Sequence, residues 1–204
     1  MRQANCRIVI FAKAPRPGAV KTRLIPALGA VGAARLARRM LDHALQQAQA
    51  AGAGEVELCM SPAPGAAAWQ GIDVPAGVER TAQDTGDLGQ RMAGAVHRVT
   101  TRHGRPALLM GSDCPGLTSL AISAAAARLD DYDVVLVPAA DGGYVLIGLK
   151  SPCPALFTEM PWSTPAVCAE TLRRAATLGL TVWRGPELHD IDEPADLARL
   201  PAGF

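Results

Sequence analysis

Four cations, Lys13, Arg16, Lys21 and Arg23, crowd into eleven residues around Gly18. Such crowding repels itself unless solvent or an anion intervenes. A glycine that lets backbone N–H groups approach phosphate oxygens, flanked by Lys and Arg, suits a diphosphate. It is not a Walker A loop, because Pro15 and Val20 stand where that loop needs glycines. The plainer alternative is a solvated charged loop. Asp113, in Gly111-Ser-Asp-Cys-Pro115, is a hard oxygen ligand suited to Mg²⁺ or Mn²⁺ bridging to phosphate, or else a turn residue. Asp190 and Asp192 lie two apart, so an extended segment points both the same way. Two like charges ~4 Å apart repel by about 4 kcal/mol at an effective dielectric near 20, which a bound cation would relieve. Asp192 or Glu193 could equally cap a helix with Pro194 in its first turn. His189 beside them is a ligand, a base or a bystander.

Two further kinds of signal are weaker. Asp141-Gly142-Gly143 reads as a hairpin turn, or as a close backbone approach to a substrate whose hydroxyls Asp141 would bind. Gln83, Gly86 and Arg91 could address a base or a phosphate, while Asp87 and Gln90 form a capping box. Trp162 would stack on substrate or simply pack, and Thr164-Pro165 fits the start of a helix.

The elements that must position these residues are legible from periodicity. Arg7–Ala12, Val56–Met60, Ala107–Met110, Val134–Val137, Tyr144–Leu149 and Thr181–Trp183 are short apolar, largely β-branched or aliphatic runs that predict strands. Helical spacing predicts helices over Leu28–Ala51, Leu88–Val99, Leu117–Leu129 and Ala166–Leu178, with a short one from Pro194. In the first, Leu36, Met40 and Ala44 form one row and Leu41, Leu45 and Ala48 another. Residues 61–78 are Pro/Gly/Ala-rich and predicted to be irregular. The alternation implies an α/β fold: three layers around a doubly wound, mostly parallel sheet, with one antiparallel departure at the Asp-Gly-Gly turn. In such sheets ligands sit beyond the carboxyl ends of the strands, and the four strongest segments each follow a predicted strand.

Composition narrows the classes further. The 204 residues suit a single domain spanning 1–204, and 49% hydrophobic content supports a core that is aliphatic, since aromatics are only 4%. A net charge of +1 gives no reason to expect nucleic acid or an anionic membrane as partner. Cys6, Cys59, Cys114, Cys153 and Cys168 are odd in number, scattered and without a C-x-x-C pair, which suits a reducing, cytoplasmic setting. Neither a signal-peptide pattern nor a membrane span is visible.

The ordered set FAKAPRPGAVKTRL (11–24), GDLGQRM (86–92), GSDCP (111–115), ADGGYVLIGL (140–149), WST (162–164) and DIDEPADL (190–197) resembles a small bacterial glycosyltransferase-like family. Some of its members belong to arsenosugar biosynthesis. The family sits with the GT-A nucleotide-diphospho-sugar transferases and the molybdopterin-type nucleotidyltransferases. The resemblance implies a GT-A fold, a nucleotide across the N-terminal half of the sheet and a divalent metal. By motif position Lys13, Gly18, Lys21 and Arg23 would contact the diphosphate, Asp113 would be the first metal ligand, and Asp192 or Asp190 the second. Asp141 and Gly142 would lie on the acceptor side. Where many GT-A enzymes carry Asp-x-Asp, Ser112-Asp113-Cys114 supplies a single carboxylate. The expected activity is metal-dependent sugar transfer from a nucleotide sugar to a small acceptor, in a monomer or homodimer. Lys21 and Arg23 would stabilise the departing diphosphate and Asp141 would position or deprotonate the acceptor hydroxyl. The alternative is nucleotidyl transfer from an NTP to a small phosphorylated or phosphate-like acceptor, releasing pyrophosphate.

Overall fold

An unbroken β-branched run makes β1 (Cys6–Lys13) a central strand, and Ile8, Val9 and Ile10 are wholly buried between two helix layers. Each such side chain contributes about 1.5–3 kcal/mol by leaving water. The structure, a computed structural model, describes residues 6–201 and Phe204. After β1 come α1 (Ile25–Ala50), β2 (Gly54–Ser61), β3 (Val78–Ala82), α2 (Leu88–His103), β4 (Ala107–Met110) and α3 (Ser119–Arg128). The chain closes with β5 (Val134–Pro138), β6 (Tyr144–Leu149), α4 (Val167–Thr177) and β7 (Val182–Arg184). They form one seven-stranded sheet in the order β3-β2-β1-β4-β6-β5-β7. Only β6 is antiparallel, and it is so to both β4 and β5, which makes the sheet mixed as its Asp-Gly-Gly turn suggested.

The two faces are covered separately. Leu41, Leu45 and Ala48 of α1 and Ile122 of α3 pack over Ile8, Ile10, Leu58 and Leu108. Met92 and Val96 of α2 and Cys168 and Ala175 of α4 pack over Val9, Leu109 and Ile147. The two predicted rows of α1 are buried, and the helix bends at Gly29, whose φ of 70° a side chain would resist.

β3 escaped the sequence reading. Its Val-Glu-Arg-Thr-Ala segment has no apolar run because it is an edge strand with charged, mostly exposed side chains. Two helical details also differ from expectation: the last helix starts at Pro194 behind a Glu193 cap as expected but is of another type, and α4 is capped elsewhere. Pro194–Arg199 is a 3-10 turn, capped by Glu193 and Asp196. Thr164 does not cap α4, whose N-cap is Ala166; the Thr164 hydroxyl instead donates to the Pro161 carbonyl at 2.7 Å.

A charged cluster ties α2 to the sheet. Glu57 of β2 is fully buried and accepts from Arg7 Nε (2.8 Å), Arg98 Nη1 (2.9 Å) and Nη2 (2.5 Å), and Thr81 Oγ1 (2.6 Å). Arg7, itself buried, also pairs with Glu55 (2.6 Å) and Glu79. Burial opposes the Glu57 charge, but the bonds from Arg98, Thr81 and Arg7 outweigh it and hold its pKa below the ordinary value.

Candidate active site

Strands β2 and β3 extend the sheet on one side of β1, and β4 onward on the other, so the winding reverses between β1 and β4. The crevice such a reversal opens lies at their carboxyl ends, where the 13–24 and 111–115 segments emerge. Lys21 starts a 3-10 turn (Thr22–Leu24) in the left-handed conformation, φ 46° and ψ 45°. That costs a lysine about 1–2 kcal/mol. It aims the ammonium Nζ between Asp113 Oδ2 (3.1 Å) and Asp192 Oδ1 (3.4 Å). Arg23 Nη1 reaches Asp192 Oδ2 at 2.6 Å.

The acidic partners arrive by a local mechanism. Ile191 is buried with Leu24 and Met40, and its N–H donates to the Asp113 carbonyl at 2.9 Å. That anchor sets Asp190 and Asp192 on either side of it, both towards Asp113. Burial, then the charges of Asp113 and Asp141, push the Asp190 carboxyl up to about 6. Burial works against the Lys21 charge too, yet Asp113 and Asp192 outweigh it and raise its pKa. Lys21 is therefore a permanent cation and not a base. Its three acidic neighbours, Asp113, Asp192 and Asp190, are all hard oxygen donors, the ligand type that divalent cations take. Among the described residues, no group of three or more His, Cys, Asp or Glu side chains is already gathered as a metal cage.

Two compartments adjoin here. A polar cleft of about 480 Å³ is rimmed by Lys13, Lys21, Arg23, Gln83, Arg91, Asp113 and Asp192. A smaller, apolar compartment of about 220 Å³ lies between α2, β6 and the 162–167 segment, with Phe11, Met92, Tyr144, Trp162, Asp141 and Gly143 in its walls. Phe11, Leu88 and Gly111 border both. Asp141 holds one carboxylate oxygen on the Gly143 N–H at 2.8 Å. Burial pushes the Tyr144 phenol far up, so it stays neutral.

Most sequence-expected residues meet at these two spaces, with specific exceptions. Gly18 sits in an exposed turn and does not line the cleft. Arg16 is drawn away to the carbonyls of Ala68 (2.6 Å) and Gln70. Gln83 and Arg91 do rim the cleft, but Gln83 gives its amide nitrogen to the carbonyls of Cys59 (3.1 Å) and Ala12 (3.4 Å), and Arg91 donates to Gly86 O (2.8 Å). Gly142 is not a compartment wall but a close contact: a Cβ there would meet the Pro165 carbonyl oxygen at 2.2 Å, and its own carbonyl accepts the Cys168 N–H (2.8 Å), seating α4. His189 turns outward to Arg199 at 3.1 Å. The apolar compartment itself was missed. Its one sequence signal is that Phe11, Tyr144 and Trp162 are three of only eight Phe, Tyr and Trp residues.

The α/β fold with its mixed seven-stranded sheet is shared with solved structures described as nucleotide-diphospho-sugar and nucleotidyl transferases. Within that fold the chain belongs to a family described as uncharacterised proteins conserved in bacteria, DUF2064, whose model matches residues 44–164. The chain is similar to an inferred nucleotide-diphospho-sugar transferase from Desulfovibrio desulfuricans G20: 32% identity, TM-score 0.83, over 92% of this chain and 82% of that one. It shares the fold of CMP:2-keto-3-deoxy-manno-octonic acid synthetase, solved with CTP, at 15% identity and TM-score 0.57, covering 96% of each chain. It also shares that of Rv0371c from Mycobacterium tuberculosis H37Rv, solved with manganese, at 16% identity and TM-score 0.53, over 98% of this chain and all of that one. No curated protein matches the sequence. Among the described residues no helix is long and apolar enough to cross a membrane.

Proposed function

We propose that this protein transfers a glycosyl group from a nucleoside-diphosphate sugar to a small acceptor, with the help of a divalent cation. The observation that carries the reading is the pairing of compartments: a cleft with fixed cations and carboxylates opens beside an apolar space walled by Asp141. The diphosphate would lie against Lys13, Lys21 and Arg23, and the acceptor in the apolar space. The acceptor oxygen bonds to the anomeric carbon as the bond from that carbon to the diphosphate oxygen breaks. The electron pair leaves with the nucleoside diphosphate, and the acceptor proton passes to the carboxylate of Asp141. Lys21 and Arg23 stabilise the charge growing on the leaving oxygen, and their positions are fixed in advance by Asp113 and Asp192. Asp113 and Asp192, with Asp190 adjacent, would hold Mg²⁺ or Mn²⁺, which supplies Lewis-acid stabilisation of the diphosphate. The relative solved with manganese supports this choice of ion. The arsenosugar-type placement belongs to the same reading and rests on the motif set.

Nucleotidyl transfer is the competing reading, and the fold likeness to a CTP-bound synthetase is compatible with it. One experiment separates them. The protein is incubated with nucleotide sugars or NTPs, Mg²⁺ or Mn²⁺ and an acceptor panel, and both nucleoside diphosphate and pyrophosphate are measured. Acceptor-dependent nucleoside diphosphate, lost on Lys21→Met, is the expected result. Pyrophosphate from an NTP without any diphosphate from nucleotide sugars overturns it.

A further inference from the structure

The apolar compartment carries more information than its position. Its lining comes from β1, α2, β4 and the Gly111 that follows it, the 141–143 turn, β6 and the 162–167 segment, and among these residues are no Lys, Arg or His. Its single charged group is the Asp141 carboxylate. Its other polar side-chain groups are the hydroxyls of Ser163, Thr164 and the neutral Tyr144 and the indole N–H of Trp162. Three rings, Phe11, Tyr144 and Trp162, supply much of the wall, with Tyr144 and Trp162 edge to face at 6.5 Å between centroids.

Each of these facts acts on the ligand. An anionic group entering here would leave water for a space without a countercharge and would face a like charge, both unfavourable. An apolar ring gains from the surrounding Phe, Met, Leu and Trp surface. A hydroxyl on that ring can donate to Asp141, the group whose free oxygen stands at the compartment's edge. The volume, below the roughly 300–1,000 Å³ of a pocket for a drug-sized ligand, limits the body to about one ring. The fixed cations all lie across the Phe11–Leu88–Gly111 border, on the cleft side.

We infer that the acceptor is an uncharged, ring-sized alcohol with an apolar body, and that phosphorylated or carboxylated acceptors are excluded from this compartment. The acceptor role rests on the glycosyl-transfer reading above; the ligand chemistry rests on the lining alone. The transfer it implies forms the glycosidic bond between the ring alcohol's oxygen and the anomeric carbon as the bond from that carbon to the diphosphate oxygen breaks, the electron pair leaving with the nucleoside diphosphate and the proton passing to Asp141.

The test is a matched set of probes, benzyl alcohol, benzoate and phenyl phosphate, titrated against the intact protein and followed by tryptophan fluorescence. A Trp162→Phe variant identifies the signal from this compartment. Benzyl alcohol should bind at least about tenfold more tightly than either anion. Asp141→Asn, at an exposed position, should narrow that ratio to about threefold or less while the alcohol still binds. Equal or tighter binding of the anions to the wild type, or an unchanged ratio in Asp141→Asn, would overturn the inference. A parallel turnover assay with nucleotide sugars keeps the two readings apart. Selective alcohol binding with no glycoside formed from any nucleotide sugar removes the transferase reading and leaves the ligand chemistry standing. Glycoside formed only on anionic acceptors does the reverse.

Discussion

Replacing Glu57 with Gln tests whether α2 is held in place by the buried charge cluster. Glu57 is fully buried and accepts four hydrogen bonds from Arg7, Arg98 and Thr81. Glutamine keeps the shape but loses the charge, and its amide nitrogen turns a donor towards guanidinium donors. Removing one partner of a buried ion pair costs about 3–5 kcal/mol. The lower end applies here, for two reasons. Arg7 keeps Glu55 and Glu79, and Arg98 has 19% of its side chain exposed and can recruit water. A loss of about 3 kcal/mol in a protein of this size lowers Tm by about 6–12 °C. The pH dependence follows from the depressed folded-state pKa. Unfolded Glu57 takes up a proton before the folded one does, so its contribution is complete above about pH 4.5 and is lost as pH falls through the lower folded value. Urea melts of wild type and Glu57→Gln from pH 3 to 8 should therefore show a constant gap above about pH 5 that closes in acid. A gap below about 1 kcal/mol at pH 7, or one that persists unchanged into acid, refutes the argument. Because Leu88, Arg91 and Met92 ride on α2, the variant should also weaken binding in both compartments.

Lys21→Met should destabilise the metal-free protein by about 1–3 kcal/mol. Each contact to Asp113 and Asp192 is worth about 5 kcal/mol gross at a dielectric near 20, but desolvation and the roughly 40% exposure of both carboxylates take back most of it. Saturating Mn²⁺ should close most of the deficit, and urea melts with Mn²⁺ against EDTA would show whether it does. Gly142→Ala forces a Cβ to within 2.2 Å of a backbone oxygen at a φ of 90°, so neither side can yield cheaply. A loss of at least about 2 kcal/mol in urea melts is expected, and near-neutral behaviour would mean that the Pro165 contact is not rigid.

Local signals in the sequence carried much of this architecture. β4 and β6 begin and end where apolar runs do, and Asp87 with Gln90 makes the capping box its spacing announced. Asp190 and Asp192 face the same region because Ile191 between them is buried. What was not legible depends on distant partners. β3 is a strand because β2 offers it an edge, and its own composition says little. Arg16 looks like its neighbours in sequence, and only the carbonyls near residue 68 single it out. Phe11, Met92 and Ile147 read as ordinary core. Only the assembled helices and sheet reveal that their side chains border a gap.

The reversal of β6 has a mechanical consequence. Because it runs against its neighbours, its first residues stand at the working rim, so residues 139–143 hang between two paired strands. Backbone bonds tie that short bridge on every side: Ala139 to Gly143, Ala140 to Leu188, and Gly142 to Cys168. Past Ala14 the 13–24 segment is instead tied to the rest of the fold by side chains, Arg16 on the carbonyls near residue 68 and Lys21 and Arg23 on Asp113 and Asp192. One wall of the crevice is thus set by backbone bonds and the opposite one by charged side chains, so substitutions that alter charge should disturb the lysine side first.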